Sequence, residues 1–248
     1  MMKMIDVSYH NGNINFGKVK ASGIEGVIIR AGYGLSTVDS KFKQNIIAAS
    51  AAGLHIGIYW FSYACNVTQA LTEARKCLNT IAAYKNNIDL PVFFDWEYDS
   101  YKYATKRGFN PTKSNITSLC QVFVREIEAN GYKAGVYLNE DYRKNYIDLN
   151  QLNTFAVWYA RYNYTGKLPI EPMLWQYSSK GKVAGISGNV DMNEYFGNMA
   201  AVIKKSNQQI AIEVINGLWG NGITRKQKLT NAGYDYKEIQ KIVNSILK

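Results

Sequence analysis

The chain has 248 residues, enough for one barrel-sized domain with a small appendage or for two ordinary domains. With 47% hydrophobic and 19% charged residues, its composition is typical of a soluble globular protein, and no apolar run approaches the length of a membrane span. The formal charge of +10 predicts attraction to polyanions, but the basic residues are dispersed and no nucleic-acid motif occurs. We therefore expect neither a nucleic-acid nor a membrane partner.

The amino-terminal stretch MMKMIDVSYHNG runs directly into a strand pattern. It lacks the apolar segment and small-residue cleavage site of a signal peptide, which predicts synthesis in a cytoplasm. Cys65, Cys77 and Cys120 are odd in number and show no CxxC spacing. They are expected to be reduced, buried hydrophobes, with neither a disulfide framework nor a zinc site.

Eight short β-like runs recur along the first 195 residues. They are MIDVS (4–8), GVIIRA (26–31), HIGIYWFS (55–62), LPVFFDWE (90–97), KAGVYL (133–138), FAVWYA (155–160), PMLWQY (172–177) and NVDMN (189–193). Helical patterns separate several of them, at 41–53, 67–84 and 114–131. Alternating strands and helices predict a parallel sheet, and eight strands suggest closure into a (β/α) TIM-like barrel. The gaps after 138, 160 and 177 are too short for full helices, so we expect an irregular barrel.

The pattern changes after residue 198. Residues 199–207 are predicted to be a linker, and 208–248 read as about three short helices broken at GLWGNG and NAGYD. A unit of this size is marginal by itself, so it must pack tightly, lean on the barrel or self-associate. The expected domains are therefore a barrel over 1–198, a linker over 199–207 and a three-helix module over 208–248.

Four acidic residues are expected to meet at one end of the barrel. Asp6 lies toward the end of the first predicted strand, Asp95 and Glu97 end the fourth, and Asp191 lies in the eighth, which closure makes a neighbour of the first. Side chains alternate along a strand, so Asp95 and Glu97 should share a face that Trp96 does not. Mutual repulsion should raise at least one pKa, as a general acid near neutral pH requires. Each Asp taken singly is more often structural than functional, and the hypothesis rests on the convergence of the four acids.

Aromatic and polar side chains near the same strand ends are candidate walls of a polysaccharide groove. They are Tyr33, Tyr59, Trp60, Tyr63, Tyr137, Trp158, Arg161, Trp175 and Gln176. Core packing is the alternative for each of them, and we expect it for about half. His10 has no accompanying serine or cysteine nucleophile motif, so it is interpreted as a loop residue near the cleft.

These segments together resemble a known family. DVSYHNG, RAGYG, DSKFKQN, GIYWF, LPVFFDWE, VWYARY, LWQY and VAGISGNVDMN, in this order, are similar to the family 25 glycoside hydrolases, the lysozymes of phage, bacterial and fungal origin. The resemblance implies an irregular (β/α) barrel that cleaves the β-1,4 bond between N-acetylmuramic acid and N-acetylglucosamine of peptidoglycan. It also implies that Asp6, Asp95, Glu97 and Asp191 are the acidic site residues. The chain departs from many relatives at Asn11, where they have glutamine.

The tail resembles a different family. EVINGLWGNGITRKQKLTNAGYDYKEIQKIVNSIL is similar to the short wall-binding repeat carried at the carboxyl terminus of some phage lysozymes. The resemblance implies an endolysin-like protein made in the cytoplasm of a phage-infected bacterium, with peptidoglycan as its partner. A secreted bacterial autolysin is the alternative. Trp219, Arg225 and Tyr234 lie at or beside the two helix breaks and are the expected wall contacts, although Trp219 could instead form the core of the bundle.

Two other functions are weighed against this one. A family 18 chitinase also ends its active-site strand with DWEY-like residues, but it places further acids where this chain has Phe93 and Pro91. A non-catalytic wall-binding barrel would not need all four acids. In the favoured scheme Glu97 is the general acid, Asp95 orients the 2-acetamido group or stabilises the oxocarbenium charge, and Asp6 and Asp191 hold the water, the sugar or the pKa of Glu97. Neither a metal nor another cofactor is required, and inversion, retention and substrate assistance all stay open.

Overall fold

A computed structural model describes residues 1–152, 155–197, 207–231 and 234–247. The chain divides into two compact units, Met1–Val202 and Ile203–Lys248, which are treated separately below. The predicted linker lies outside the described residues except for Asn207. In the described part of the chain, no helix is both long and apolar enough to span a membrane.

The first unit is a closed barrel of eight strands with one added β-hairpin strand, β3. The strands are β1 Met2–Val7, β2 Gly26–Tyr33, β3 Thr37–Val38, β4 His55–Phe61, β5 Val92–Asp95, β6 Ala134–Asn139, β7 Ala156–Ala160, β8 Leu174–Gly181 and β9 Val190–Tyr195. They are ordered β1-β2-β4-β5-β6-β7-β8-β9 around the barrel, and β9 pairs with β1 to close it. The predicted TIM-like barrel is therefore confirmed, with each of the eight predicted runs forming one strand.

The last strand differs from the prediction of a parallel sheet. β9 is antiparallel to both β1 and β8, whereas the other barrel pairs are parallel. Only residues 182–189 connect β8 to β9. A parallel connection needs a dozen or more residues, so this short segment can only turn the chain back. As a result, the beginning of β9 lies at the barrel end where the parallel strands finish.

Helices cover only part of the outside of the barrel. They are α1 Phe16–Ala21, α2 Phe42–Ala51, α3 Val67–Ile81, α4 Tyr98–Thr105, α5 Lys113–Ala129 and α6 Glu140–Asn145, with 3₁₀ turns at Tyr9–Asn11, Ala82–Asn87 and Leu149–Leu152. The three predicted helices correspond to α2, α3 and α5. The short helix α4 was not predicted, and it begins directly after the acidic motif. In the described chain no helix follows β7 or β8, which makes the barrel irregular, as expected.

Alternation along the strands divides the buried residues into two layers. Side chains of one parity, among them Met4, Ile28, Phe93, Trp158 and Leu174, fill the barrel interior. Side chains of the other parity pack between the strands and the helices in a larger apolar layer. Gly135 leaves room in the interior, because a Cβ there would lie 2.5 Å from the Ala156 carbonyl oxygen and 2.6 Å from the Phe93 ring. The filled interior supports the side chains at the end of the barrel where the parallel strands finish, which is called the upper end below.

The second unit is a small helical bundle. Its helices are α7 Asn207–Ile215, α8 Gly222–Asn231 and α9 Tyr236–Ile246. Ile210, Val214, Leu229, Ile239 and Val243 form its core. Gly217, Gly220 and Gly222 adopt positive φ angles of 78°, 72° and 55° at the predicted break between α7 and α8. Three short helices are therefore present. In the second predicted break, NAGYD (231–235), residues 232 and 233 lie outside the described residues.

Candidate active site

The four predicted acids meet at the upper end of the barrel. Asp6 in β1 is paired directly with Asp191 in the antiparallel β9. Asp95 is the last residue of β5, and Glu97 precedes the first residue of α4 rather than continuing the strand. Trp96 between them points into the outer apolar layer. The reversal of β9 brings Asp191 to this end, because that strand begins where the others finish.

Asp6 is held by amide groups from two other strands. Its Oδ2 accepts hydrogen bonds of 2.8 Å from both Gln176 Nε2 and Asn193 Nδ2. The side-chain Oε1 of Gln176 in turn accepts hydrogen bonds from the hydroxyls of Tyr137, at 2.9 Å, and Tyr162, at 2.7 Å. Trp158 Nε1 donates to Asn193 Oδ1 at 2.8 Å, which fixes the second amide. Both amides that bind Asp6 are thereby oriented by other side chains.

Asp95 and Glu97 form a hydrogen-bonded pair of carboxyl groups. Asp95 is only 4% exposed, whereas Glu97 is half-buried and opens to the cavity. The Glu97 backbone N–H donates to Ser100 Oγ at 3.0 Å, and the Ser62 N–H donates to the Asp95 carbonyl oxygen at 2.7 Å. The backbone of the pair is thus fixed from both α4 and the segment that follows β4.

The pKa values of all four acids are raised. Burial is the largest cause for each of them, and it raises the pKa values of Asp6 and Asp95 most strongly. Repulsion adds to burial, from Asp191 on Asp6 and from Glu97 on Asp95. The hydrogen bond from Asp95 partly offsets the rise in the pKa of Glu97. Repulsion was predicted to raise a pKa, but loss of hydration is the larger effect.

A cavity of about 410 Å³ opens above these acids. Its walls include four of the predicted substrate-binding residues, Tyr59, Tyr137, Trp158 and Gln176, together with all four acids. His10 also lines it and stacks on Tyr9 with ring centroids 4.0 Å apart. The aromatic rings of Tyr59, Tyr137 and Phe93 surround Trp158 at centroid distances of 4.7–5.8 Å. The cavity therefore combines acids with a rigid aromatic wall.

Five predicted substrate-binding residues lie outside this wall, and Trp60 requires correction. Trp60 is fully buried in the outer apolar layer and donates to the Gly34 carbonyl oxygen at 3.0 Å, so its ring cannot meet a ligand in the cavity. Trp175 likewise packs toward that layer, and its Nε1 donates to the Arg161 carbonyl oxygen at 3.0 Å. Both placements follow from the alternation of side chains along a strand, because the neighbouring residues Tyr59 and Gln176 point into the barrel.

The other three predicted residues lie near the strand ends but not in the cavity wall. Tyr33 lies below the Arg30 guanidinium, 5.4 Å from ring centroid to Cζ. Tyr63 packs against Phe61 at 5.2 Å between ring centroids, and the Arg161 guanidinium lies 3.6 Å from the Tyr164 ring centroid. The structure thus does not gather them with the four acids in one wall.

The sequence did not indicate several residues that do line the cavity. They are Ser8, Asn11, Arg30, Phe61, Tyr162 and Asn189. Arg30 is 8% exposed, pairs with Asp39 at 2.8 Å and lowers the pKa of Asp95 slightly against the effect of burial. Its Nη2 has no hydrogen-bond partner among the described residues. Arg30 shares the strand parity of Ile28, an interior position, and this signal could have identified it.

The residues expected to contact the wall mostly build the second unit itself. Tyr234 is buried in its core and packs edge-on against Trp219, with ring centroids 6.1 Å apart. Trp219 Nε1 donates to Glu213 Oε2 at 3.0 Å. Arg225 donates to the Gly220 carbonyl oxygen at 2.9 Å, to Asn221 Oδ1 at 2.9 Å and to Gln240 Oε1 at 3.2 Å. Arg225 therefore ties the α7–α8 loop to α9, and both Trp219 and Arg225 stay partly exposed.

No metal ligand set is evident in the ranges that the structure describes. No group of three or more histidine, cysteine, aspartate or glutamate side chains within them is arranged to hold an ion. The four acids instead surround a space that polar and aromatic groups line. Carboxyl groups in such a space can transfer protons and stabilise positive charge.

Acids with raised pKa values beside an aromatic wall, at the strand ends of a (β/α) barrel, are typical of enzymes that cleave glycosidic bonds. Comparison with known proteins agrees with this class. The chain belongs to the glycosyl hydrolases family 25, whose sequence profile matches residues 5–186. The profile of the CW_7 repeat matches residues 208–247.

The individual proteins that this chain resembles include lysozymes and an endolysin. The chain is 28% identical over 254 residues to a lysozyme of Streptococcus phage Cp-7, covering 98% of this chain and 69% of that protein. It is 29% identical over 195 residues to the autolytic lysozyme of Clostridium acetobutylicum, covering 78% of this chain and 56% of that protein. The chain thus spans little more than half the length of the clostridial relative. The crystal structure of the CTP1L endolysin superposes with a TM-score of 0.69 at 27% identity, covering 87% of this chain and 78% of that one.

The raised pKa values predict that the acids reduce stability near neutral pH. Because the folded chain holds these protons more tightly than the unfolded chain, the free energy of unfolding falls as pH rises from the ordinary carboxyl pKa toward the raised values. Asp95→Asn should therefore increase the free energy of unfolding at pH 7 by on the order of 1 kcal/mol and change it little at pH 4. Denaturant unfolding at both pH values measures this, with the exposed Asp99→Asn as the control. An equal gain at the two pH values would contradict the electrostatic origin.

Proposed function

We propose that this chain is an N-acetylmuramidase, which hydrolyses the β-1,4 bond between N-acetylmuramic acid and N-acetylglucosamine in peptidoglycan and so lyses bacteria. The observation that carries the proposal is the buried Asp95–Glu97 pair facing Asp6 and Asp191 in a barrel of this family. The lysozymes and the endolysin among its relatives support the same substrate class.

In the proposed reaction Glu97 is the general acid. Two carboxyl groups in hydrogen-bond contact, both with raised pKa values, favour retention of one shared proton at near-neutral pH. Both acids line the cavity and Glu97 is the more exposed of the two, so it delivers this proton to the glycosidic oxygen as the bond from that oxygen to the sugar C1 breaks. Asp95, more deeply buried, supplies Glu97 with the proton and orients the 2-acetamido group.

Asp191 and Asp6 act on the sugar ring and on the attacking water. Positive charge develops on the sugar ring as the bond breaks, and ionised carboxylates beside the ring stabilise it. Asp191 is half-buried and raises the pKa of Glu97, so it can hold the attacking water as well as keep the acid protonated. Asp6, which Gln176 and Asn193 hold in place, keeps Asp191 and the sugar in position relative to each other. Addition of water to C1 returns one proton to the acids and completes the hydrolysis.

The second unit is proposed to anchor the enzyme to the wall. Residues 208–248 contain six basic residues against three acidic ones, so an anionic wall attracts the unit. Exposed charges are screened within about 8 Å at physiological salt, so short-range contacts are needed too, and the half-exposed Trp219 is one source. Synthesis in the cytoplasm of a phage-infected bacterium, and self-association through this unit, stay sequence-based predictions.

The products of digestion test the proposed specificity. A muramidase leaves N-acetylmuramic acid at the new reducing ends, a glucosaminidase leaves N-acetylglucosamine, and an amidase releases peptide without a new reducing sugar. Borohydride reduction of digested walls followed by sugar analysis should therefore yield muramicitol. Glucosaminitol in its place would overturn the bond assignment while leaving a glycosidase, and intact walls that sediment with the protein would identify a pure binder.

Removal of the proposed acid should abolish most of the activity without unfolding the chain. Glu97→Gln keeps the shape and the hydrogen-bonding capacity of the side chain but has no proton to give, so wall hydrolysis should fall by at least about a hundredfold. The matched control is Asp99→Asn, two residues further on and exposed, which should stay near the wild-type rate. Turbidity loss of a purified wall suspension measures both variants. A well-folded Glu97→Gln protein with near-normal activity would refute the assignment.

Deletion of the second unit should separate anchoring from chemistry. Tethering raises the concentration of the catalytic unit at the wall without any new contact at the bond that is cut. A chain ending near residue 199 should cleave small soluble muropeptide oligomers at the wild-type rate, which also reports correct folding, but lyse intact cells more slowly. The deficit should be largest at moderate salt. Equal lysis by both proteins across several salt concentrations would show that the unit serves stability or oligomerisation instead.

A further inference from the structure

A row of aromatic rings leads away from the cavity across the upper end of the barrel. Phe61, which lines the cavity and pairs with Asp95 in the sheet, packs against Tyr63 with ring centroids 5.2 Å apart. Tyr63 packs against Tyr103 of α4 at 4.9 Å. Tyr63 and Tyr103 are half-buried, so part of each ring stays open to solvent. The row therefore forms a partly exposed apolar track that begins at the proposed site of bond cleavage.

A guanidinium group ends this row. Arg107 lies over the Tyr103 ring with its Cζ 3.6 Å from the centroid, and its Nη1 donates to the Tyr103 carbonyl oxygen at 3.3 Å. Stacking holds the plane of the group and leaves its edge available. Arg107 is exposed and forms no ion pair with any described residue, in contrast to Arg30 and Arg143. Its remaining N–H donors are thus oriented and available to an anion.

The charges that line the cavity indicate where the anionic groups of a substrate lie relative to Arg107. The cavity is lined by four acids and by the cation Arg30, which is already paired with Asp39, so the net charge of the lining disfavours an anionic substituent of a substrate. The muramic acid of peptidoglycan carries a peptide stem with free carboxylates. These groups must therefore lie outside the cavity, where a stacked guanidinium can bind a carboxylate through two N–H donors.

We propose that Tyr63, Tyr103 and Arg107 form a recognition site for the peptide-bearing part of the glycan strand, in which the rings contact the strand and Arg107 binds a stem carboxylate. The proposal rests on the muramidase function and adds to it a substrate feature, the anionic stem. The site sets affinity and substrate preference and takes no part in bond cleavage. Its effect should consequently appear in KM rather than in kcat.

The experiment compares two substrates that differ only in stem charge. Soluble glycan oligomers with stem peptides are acetylated at their amines, and half of the preparation is then converted from carboxylates to amides with carbodiimide and ammonia. Arg107→Gln in the full chain should raise KM about three- to tenfold on the carboxylate form, and less than about twofold on the amide form, at unchanged kcat. Added salt should raise KM of the wild type on the carboxylate form more than that of the variant.

Neighbouring variants separate this site from general charge effects. Lys106 precedes Arg107, is exposed and lies outside the aromatic row. Lys106→Gln therefore removes an equal charge nearby, and this variant should match the wild type on both substrates. Tyr103→Phe should retain the site, whereas Tyr103→Ala should raise KM on both substrates. An equal effect of Arg107→Gln on the two substrates, no effect on either, or the same effect from Lys106→Gln would overturn the proposal. If the wild type cleaves neither substrate, the muramidase function fails and the recognition site fails with it.

Discussion

The active site depends on keeping carboxyl groups away from water without leaving them unsupported. Asp6 and Asp95 are buried, and a buried carboxylate is unfavourable unless hydrogen bonds or a shared proton compensate. The two acids use different solutions. Asp6 receives two amide N–H groups that tyrosine and tryptophan side chains hold in place, whereas Asp95 shares a hydrogen bond with Glu97. The amide hydrogen bonds partly offset the rise that burial causes in the pKa of Asp6, whereas the hydrogen bond with Glu97 adds to the rise in the pKa of Asp95.

This arrangement also explains why the walls of the cavity are aromatic and rigid. The hydroxyls of Tyr137 and Tyr162 and the indole of Trp158 orient the amides that support Asp6. The same rings form surfaces on which a sugar can lie. One set of side chains therefore satisfies the buried polar atoms and shapes the space for the substrate, and a change to either role disturbs the other.

The sequence was sufficient for the barrel and for placing Asp6, Asp95 and Glu97 at one end, because strand patterns and closure bring them there. Asp191 reaches the same end because β9 is antiparallel, which the strand pattern did not indicate. The sequence was less informative about which side chains line the cavity. In the pairs Tyr59–Trp60 and Trp175–Gln176 only one member can face the interior, and once Asp95 is placed inside, the sheet register selects Tyr59 and Gln176. Tyr162 and the row ending at Arg107 were beyond such reasoning. Their positions depend on the loop after β7 and on α4, where no strand alternation applies.

The hydrogen bonds around Asp6 also affect how the protein folds. Its partners Gln176 and Asn193 are 170 and 187 residues away along the chain, and β9 completes the barrel by pairing with β1. Contacts so distant in sequence form late and slow folding, because a long loop must close before they contribute. A nascent chain still lacking its last strand therefore has no assembled cavity. The four acids come together only when β9, the last strand of the barrel to be made, pairs with β1.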